Sequence, residues 1–459
     1  MARTYLIRTF GCQMNAHDSE RLAGLFEHEG MEPTDDVERA DVVLLNTCCI
    51  RENADNKLYG HLGHLKSVKA RRPGMQIAVG GCLAQKDREL IQRRAPHVDA
   101  VFGTHNVANA IDLLRRAERE GPVTEILEES EAFPSALPAR RDLPYSAWLT
   151  IQIGCDNRCA FCIVPAVRGR EISRPFAEIV EEAAALASAG TVEITPLGQN
   201  VNSYGRDLTR RRPLFADLLR AVGAADGIRR VRFTSPHPKD LRAETVAAMA
   251  ETPAVCEHLH LPLQAGGNRT LAAMHRGYTA ERYLEKLAVA RAEIDDLAVT
   301  TDLIVGFPGE TDDDFERTLE VVAEAGYDSA YTFIFSPRPG TEAATRDDRF
   351  VAPEVVAERF ERLVVVVERS ALARHRARVG RTEEVLVEGP SKKDPSVVSG
   401  RTRQNKLVHF STCDGAAAPR SGSFAHVKIT GAAAHFLRGE LVEVTETPRH
   451  RTRIPVAVG

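Results

Sequence analysis

The sequence predicts an α/β protein in three parts: an N-terminal parallel-sheet α/β domain, an incomplete (βα)6 TIM-like barrel and a small C-terminal β-barrel. Two patterns carry this expectation. Up to about residue 373, short apolar runs alternate with longer amphipathic stretches, as parallel strands joined by helical crossovers do. Beyond that point the runs shorten, and only Gly, Ser and charged turns separate them, which suits a small barrel or sandwich. A chain of 459 residues also exceeds one typical core and should hold two or three domains.

The first domain, 1–118, has strands in TYLIRTF, DVVLLNT and MQIAVGG, with HDSERLAGLFEHEG and ADNKLYGHLGHLKSVKARR as intervening helices. VDAVFGTHN and the helical NAIDLLRRAERE complete it. The linker, 119–144, is acidic, contains Pro and lacks sustained periodicity. The core, 145–373, has strands in AWLTIQI, TVEITPLG, RRVRFTS, CEHLHLPL, VTTDLIVG and DSAYTFIFS, with helical stretches such as AEIVEEAAALASAG between them. Six such units fall short of the eight of a closed barrel and leave an open side for a large substrate. A long charged helix, PEVVAERFERLVVVVERSALARHRARV, leads out. The last domain, 374–446, has β-like runs in EEVLVEG, KLVHFST, FAHVKITG and GELVEVT, followed by a basic tail, 447–459.

Hydrophobic content of 43% and charged content of 27% are ordinary for a globular protein. The chain opens on a charged strand rather than a signal peptide, and no apolar run approaches a membrane span. Nine cysteines in so long a chain do not make a disulfide scaffold, so a reducing, cytoplasmic setting is expected. The net charge of −4 hides an asymmetry. From His375 onward the chain carries +6, leaving −10 on the rest. A basic module on an acidic body suits an anionic partner such as nucleic acid, although a charge run is also the ordinary dress of a solvated face.

Chemistry enters with Cys155, Cys159 and Cys162, a C-x3-C-x2-C run just behind the apolar AWLTIQIG. Tetrahedral zinc wants four protein ligands, and no fourth Cys or His stands nearby at ligand spacing. A 4Fe–4S cubane held by three cysteines leaves its fourth iron open for a small molecule. This spacing is that of the radical S-adenosylmethionine (SAM) enzymes. Cys12, Cys48 and Cys82 each follow an apolar run, so a parallel sheet would gather them at the carboxyl ends of its strands. We read them as a second three-cysteine cluster site rather than as buried structural thiols. Cys49 should point away from its neighbour Cys48. Neither it nor Cys256 and Cys413 is expected to be a ligand. LGQNVNSYG after the second core strand offers Gln199 and Asn200 as polar contacts. DLIVGFPGE after the fifth offers Asp302, Gly306 and Glu310 as cofactor contacts, its glycines allowing close backbone approach to a nucleotide. Both segments also read as capped β–α turns.

The chain resembles the radical-SAM methylthiotransferases over nearly its whole length. FGCQMN, NTCCIRENA and GGCLAQ match that family's N-terminal cluster domain; GCDNRCAFCIVP and RGREISRP match its catalytic core; SPRPGT and GRTRQNKLVHF match the end of the core and the RNA-binding TRAM barrel. NTCCIRENA, LGQNVNSYG, FTSPHPKDL and LHLPLQAGGNRTLAAMHRGYT are most similar to the branch that acts on isopentenylated tRNA. The sequence departs from the family at Cys49, where a small non-thiol residue is usual. It departs again at Pro196, which should weaken the local ladder and bend that strand end.

The resemblance implies two 4Fe–4S clusters, one cleaving SAM at Cys155, Cys159 and Cys162, the other carrying the sulfur at Cys12, Cys48 and Cys82. One SAM methylates that sulfur, and a second gives the radical that takes hydrogen from C2 of N6-isopentenyladenosine beside the anticodon. Arg168, with Arg170 and Arg174, would contact phosphate or the cofactor carboxylate, solvated arginines being the alternative. The implied partners are tRNA through its anticodon loop and a reducing donor such as flavodoxin or ferredoxin, with no membrane and a monomeric chain. The rival readings are methylthiolation of a ribosomal-protein aspartate, a two-cluster electron carrier, and a zinc protein recruiting His237 or His260.

Overall fold

Six parallel strands form the N-terminal sheet of the computed structural model, which describes residues 2–49, 52–128, 137–210, 212–412 and 417–448. They are β1 (Thr4–Thr9), β2 (Glu32–Pro33), β3 (Val42–Thr47), β4 (Gln76–Gly81), β5 (Ala100–Phe102) and β6 (Val123–Glu125), in the order β2-β1-β3-β4-β5-β6. β3 and β4 are buried along their whole length, as their unbroken apolar runs require in a sheet covered on both faces. The helices α1 (Gln13–His28), α2 (Glu52–Arg71), α3 (Cys82–Asp87), α4 (Glu89–Arg94) and α5 (Ala110–Glu120) supply the cover. The edge strands β2 and β6 are too short to leave a periodic signal in the sequence.

All six core strands anticipated from the sequence are present. β7 (Ser146–Thr150), β10 (Glu193–Leu197) and β11 (Arg230–Val231) form one parallel sheet; β12 (His258–His260), β13 (Ala298–Val305) and β14 (Ser329–Ile334) form another. A parallel bridge between Val231 and Val255 joins the two into one incomplete barrel wall. Between β7 and β10, the short antiparallel pair β8 (Gln152–Ile153) and β9 (Ile172–Ser173) brackets the Cys155–Cys162 loop and the helix α6 (Val164–Arg168). Pro196 costs less than its chemistry suggests. The β10–β11 ladder ends at Ile194↔Val231, before a proline N–H would be needed, while pairing with β7 continues to Leu197.

The helix Pro353–Arg376 packs on β13 and β14 and leads into a closed five-stranded barrel. Its strands are β15 (Thr382–Pro390), β16 (Val398–Thr402), β17 (Leu407–Ser411), β18 (Phe424–Ala432) and β19 (Leu437–Glu446). The sequence reading lacked β16, whose central Gly400 interrupts the apolar pattern. A Cβ there would sit 2.4 Å from Val385 Cγ1, so close strand contact needs the glycine. Much of the positive charge after His375 serves docking on the core. Arg403 grips Glu257 at 2.6 Å, Lys406 pairs with Asp328 at 2.5 Å, and Arg378 pairs with Asp296 at 2.8 Å. Among the described residues no helix is long and apolar enough to cross a membrane.

Candidate functional site

Strand order brings the first thiol set together. β1, β3 and β4 are neighbours, and Cys12, Cys48 and Cys82 lie just past their carboxyl ends. Two glycines make the approach possible. Gly11, at φ +139°, lies so close that a Cβ would stand 2.4 Å from Cys48 Cβ. Gly81, at φ +94°, would drive a Cβ to 2.5 Å from Asn46 Oδ1 and Thr47 O. Asn15 fixes the floor: its amide donates to Asn46 Oδ1 and Thr47 O, while Cys12 Sγ donates to Asn15 Oδ1 at 3.3 Å.

Cys48 and Cys49 take different partners, and both reach the thiol set. Cys48 hydrogen-bonds Cys12, whose thiol is thereby lowered to about 6, with nearby Arg168 acting in the same direction. Cys49 hydrogen-bonds Cys82, which lowers Cys82 to about 7 and raises Cys49 itself. Arg168 is a buried cation of this pocket. Sequence reading placed it at phosphate or the cofactor carboxylate; instead it is buried and pairs with Asp18 at 2.8 Å beside Cys12 and Cys82.

The second set sits on the loop after β8. Gly154 has φ +76°, and a Cβ there would collide with Arg170 O, so the turn into Cys155 is glycine's alone. Burial raises the thiols of Cys155 to about 11 and Cys162 to about 12. Arg276, buried between Tyr278 and Pro262 O, donates through Nη1 to Cys159 Sγ at 3.3 Å. Neither Arg276 nor Tyr278 was singled out from the sequence, although both lie in MHRGYT.

Around this loop several buried polar atoms have no hydrogen-bond partner among the described residues: Gln152 Oε1, Gln199 Oε1, Asn200 Oδ1 and His237 Nε2. Native interiors seldom leave such atoms orphaned, so the cluster fits a polar ligand. Gln199 and Asn200 belong to it, with Asn200 Nδ2 anchored on Asp240 at 2.9 Å. His237 meets Tyr278 edge-on at 5.9 Å, linking the group to Arg276 and Cys159. Of the other candidates, Asp302 shares a cavity with Cys162, while Gly306 and Glu310 are not on its wall. Asp302 lies 3.4 Å from His260 Nε2. Glu310 accepts from the Gly306 amide and from Arg359, both at 2.9 Å. Gly306, at φ +77°, gives its missing Cβ space to Val356. Arg174 pairs with Glu182 and Arg170 is exposed. Cys256 is buried beside Arg230 and Arg232, and Cys413 lies outside the described residues.

One cavity of about 1320 Å³ joins the two sets. Cys12 and Cys48 line it from the N-terminal domain, Cys162 and Asp302 from the core, and Gln404, Asn405 and Lys406 from the C-terminal barrel. The helix α6 is the partition: Ile163 and Val167 pack with Cys49, Cys82 and Leu83.

Three family models match the chain: "Uncharacterized protein family UPF0004" over residues 4–103, "Radical SAM superfamily" over 149–322 and "TRAM domain" over 376–442. Among curated relatives, tRNA-2-methylthio-N(6)-dimethylallyladenosine synthase of Kineococcus radiotolerans is 53% identical, covering 98% of this chain and 90% of that one. The Salinispora arenicola enzyme of that name is also 53% identical, covering 97% and 90%. Tryptophan-bound and cobalamin-bound forms of the radical SAM methyltransferase TsrM from Kitasatospora setae share the fold. The form with cobalamin and a 4Fe–4S cluster has a TM-score of 0.55 at 15% identity, covering 75% of this chain and 77% of that one.

Proposed function

Since the chain belongs to the family of the tRNA-2-methylthio-N(6)-dimethylallyladenosine synthases, within the radical SAM superfamily, we propose that it adds a methylthio group to C2 of N6-isopentenyladenosine beside the anticodon of tRNA. The observation that carries this reading is the shared cavity, with thiols of both sets and the barrel's Gln404–Lys406 turn on its wall. A reaction that moves sulfur onto an RNA base needs both reacting centres within reach of one base and an RNA-binding surface beside them.

Radical SAM membership implies SAM and a 4Fe–4S cluster. We assign that cluster to Cys155, Cys159 and Cys162, and a second, sulfur-bearing one to Cys12, Cys48 and Cys82. With SAM bound, such a cluster supplies one-electron cleavage of a carbon–sulfur bond and so the means to remove an unactivated ring hydrogen. The chain's own residues prepare the site. The unpaired acceptors of Gln152, Gln199 and Asn200 orient polar groups of SAM. Arg276 holds Cys159 in place, and Arg168 offsets the negative charge gathered by Cys12 and Cys82. tRNA enters from the barrel side, with its adenine unstacked to expose the C2 edge. A low-potential donor, flavodoxin or ferredoxin, supplies electrons.

The test is anaerobic reconstitution followed by incubation with SAM, reductant and isopentenylated tRNA, with nucleosides read by mass spectrometry. The methylthio nucleoside should form, and Cys155→Ala or Cys12→Ala should each abolish it. Deoxyadenosine release with unchanged nucleoside would refute the substrate while leaving the radical core standing.

A further inference from the structure

One wall of the shared cavity is out of keeping with a surface that meets only water. Tyr331 is 62% exposed and Ile334 50%, both on β14 and both lining the cavity with Phe333. β14 ends the strand order of its sheet, so these side chains stand where the barrel wall stops. Single exposed apolar residues are commonplace, but an aromatic and an aliphatic side chain clustered in a cleft mark a ligand surface.

The register sorts this wall by polarity. Thr300 pairs with Ser329, Asp302 with Tyr331, and Ile304 with Phe333. The polar row therefore lies toward the amino ends of the strands and the apolar row at their carboxyl ends, both on the cavity that Cys162 also lines. Tyr331 also meets His260 in a T-shaped contact at 6.3 Å, which steadies its ring while the residue stays largely exposed. An exposed aromatic ring beside an aliphatic patch complements a purine that carries a short branched hydrocarbon: the ring stacks, and the hydrocarbon leaves water.

We propose that Tyr331 is the stacking platform for the target adenine and that Ile334, with Phe333, forms the seat for its N6-isopentenyl group. This assignment deepens the function proposed above and rests on it. It makes Tyr331 a binding residue for the base and Ile334 a specificity residue for the modification already present on it.

The experiment measures equilibrium binding of two synthetic anticodon stem-loops, identical except for N6-isopentenyladenosine or adenosine at the target, to reconstituted full-length protein. Because both side chains are exposed, their replacement leaves the core intact. Wild type should bind the isopentenylated RNA about tenfold more tightly. Tyr331→Ala should weaken both RNAs by about tenfold, and Tyr331→Phe should restore binding. Ile334→Ser should erase the preference while leaving affinity for the unmodified RNA as it was. If wild type discriminates but Tyr331→Ala and Ile334→Ser behave like it, the assignment falls and the proposed function stands. If wild type shows no preference and forms no methylthio nucleoside, both fall together.

Discussion

Arg168 and Asp18 stand 150 positions apart in the chain, yet Nη2 of one lies 2.8 Å from Oδ2 of the other, inside a contact that water barely reaches. The pair fastens α6 of the core to α1 of the N-terminal domain, between the two thiol sets. Removing one member strands a buried charge. Arg168→Met should therefore destabilise the docked N-terminal domain by about 3–5 kcal/mol. Arg168→Met combined with Asp18→Asn should recover much of that loss. Denaturant unfolding monitored on the first transition checks both.

Gly11→Ala should act as a cluster-site mutation although no ligand is touched. At φ +139° the new Cβ would meet Cys48 Cβ, and the Cys12 turn must retreat. Iron and sulfide after anaerobic reconstitution should fall by about half, matching the triple replacement of Cys12, Cys48 and Cys82. Replacing Cys155, Cys159 and Cys162 should remove the other half.

Arg276 places a cation and a hydrogen bond on Cys159 Sγ. Both favour the more negative, reduced state of a cluster held there, so Arg276→Gln should shift its midpoint potential to more negative values. A redox titration followed by electron paramagnetic resonance reads the shift, and Arg276→Lys should recover only part of it.

The barrel seam should respond to acid through His375, on the helix Pro353–Arg376. Burial, aided by Lys406, pushes this imidazole down to about 4; Asp328 and the Ala433 carbonyl, 2.8 Å from Nδ1, pull the other way. The unfolded chain therefore takes up this proton first. The contribution is complete above the ordinary histidine pKa of about 6.5 and is lost as pH falls from there toward 4. His375→Asn, which retains a donor for the carbonyl, should flatten the slope of unfolding midpoint against pH in that window.

The strand-end cysteines were legible because a parallel sheet turns position in sequence into position on an edge. Three apolar runs each followed by Cys are enough to put the thiols side by side once the strands are neighbours. Arg168 was not legible in that way: its partner comes from another domain, and nothing local distinguishes it from the exposed Arg170. β16 escaped because Gly400 serves strand contact rather than pattern. The charge excess after His375 was real, but composition does not separate residues that dock a domain from residues that bind an anion. Tyr331 lay within a recognised strand, and only its exposure beside the cavity gives it a role.

The partition α6 has a consequence for how the protein is made. Ile163, Val167 and Arg168 finish the wall around Cys49 and Cys82, yet they leave the ribosome well after the N-terminal sheet. That sheet can fold early, as N-terminal units do during synthesis. Its thiol pocket stays open on one side until the core's first loop has emerged and docked. A cluster assembled on these thiols before that moment would meet a solvent-exposed cup, so the pocket is completed only when a segment of the neighbouring domain arrives.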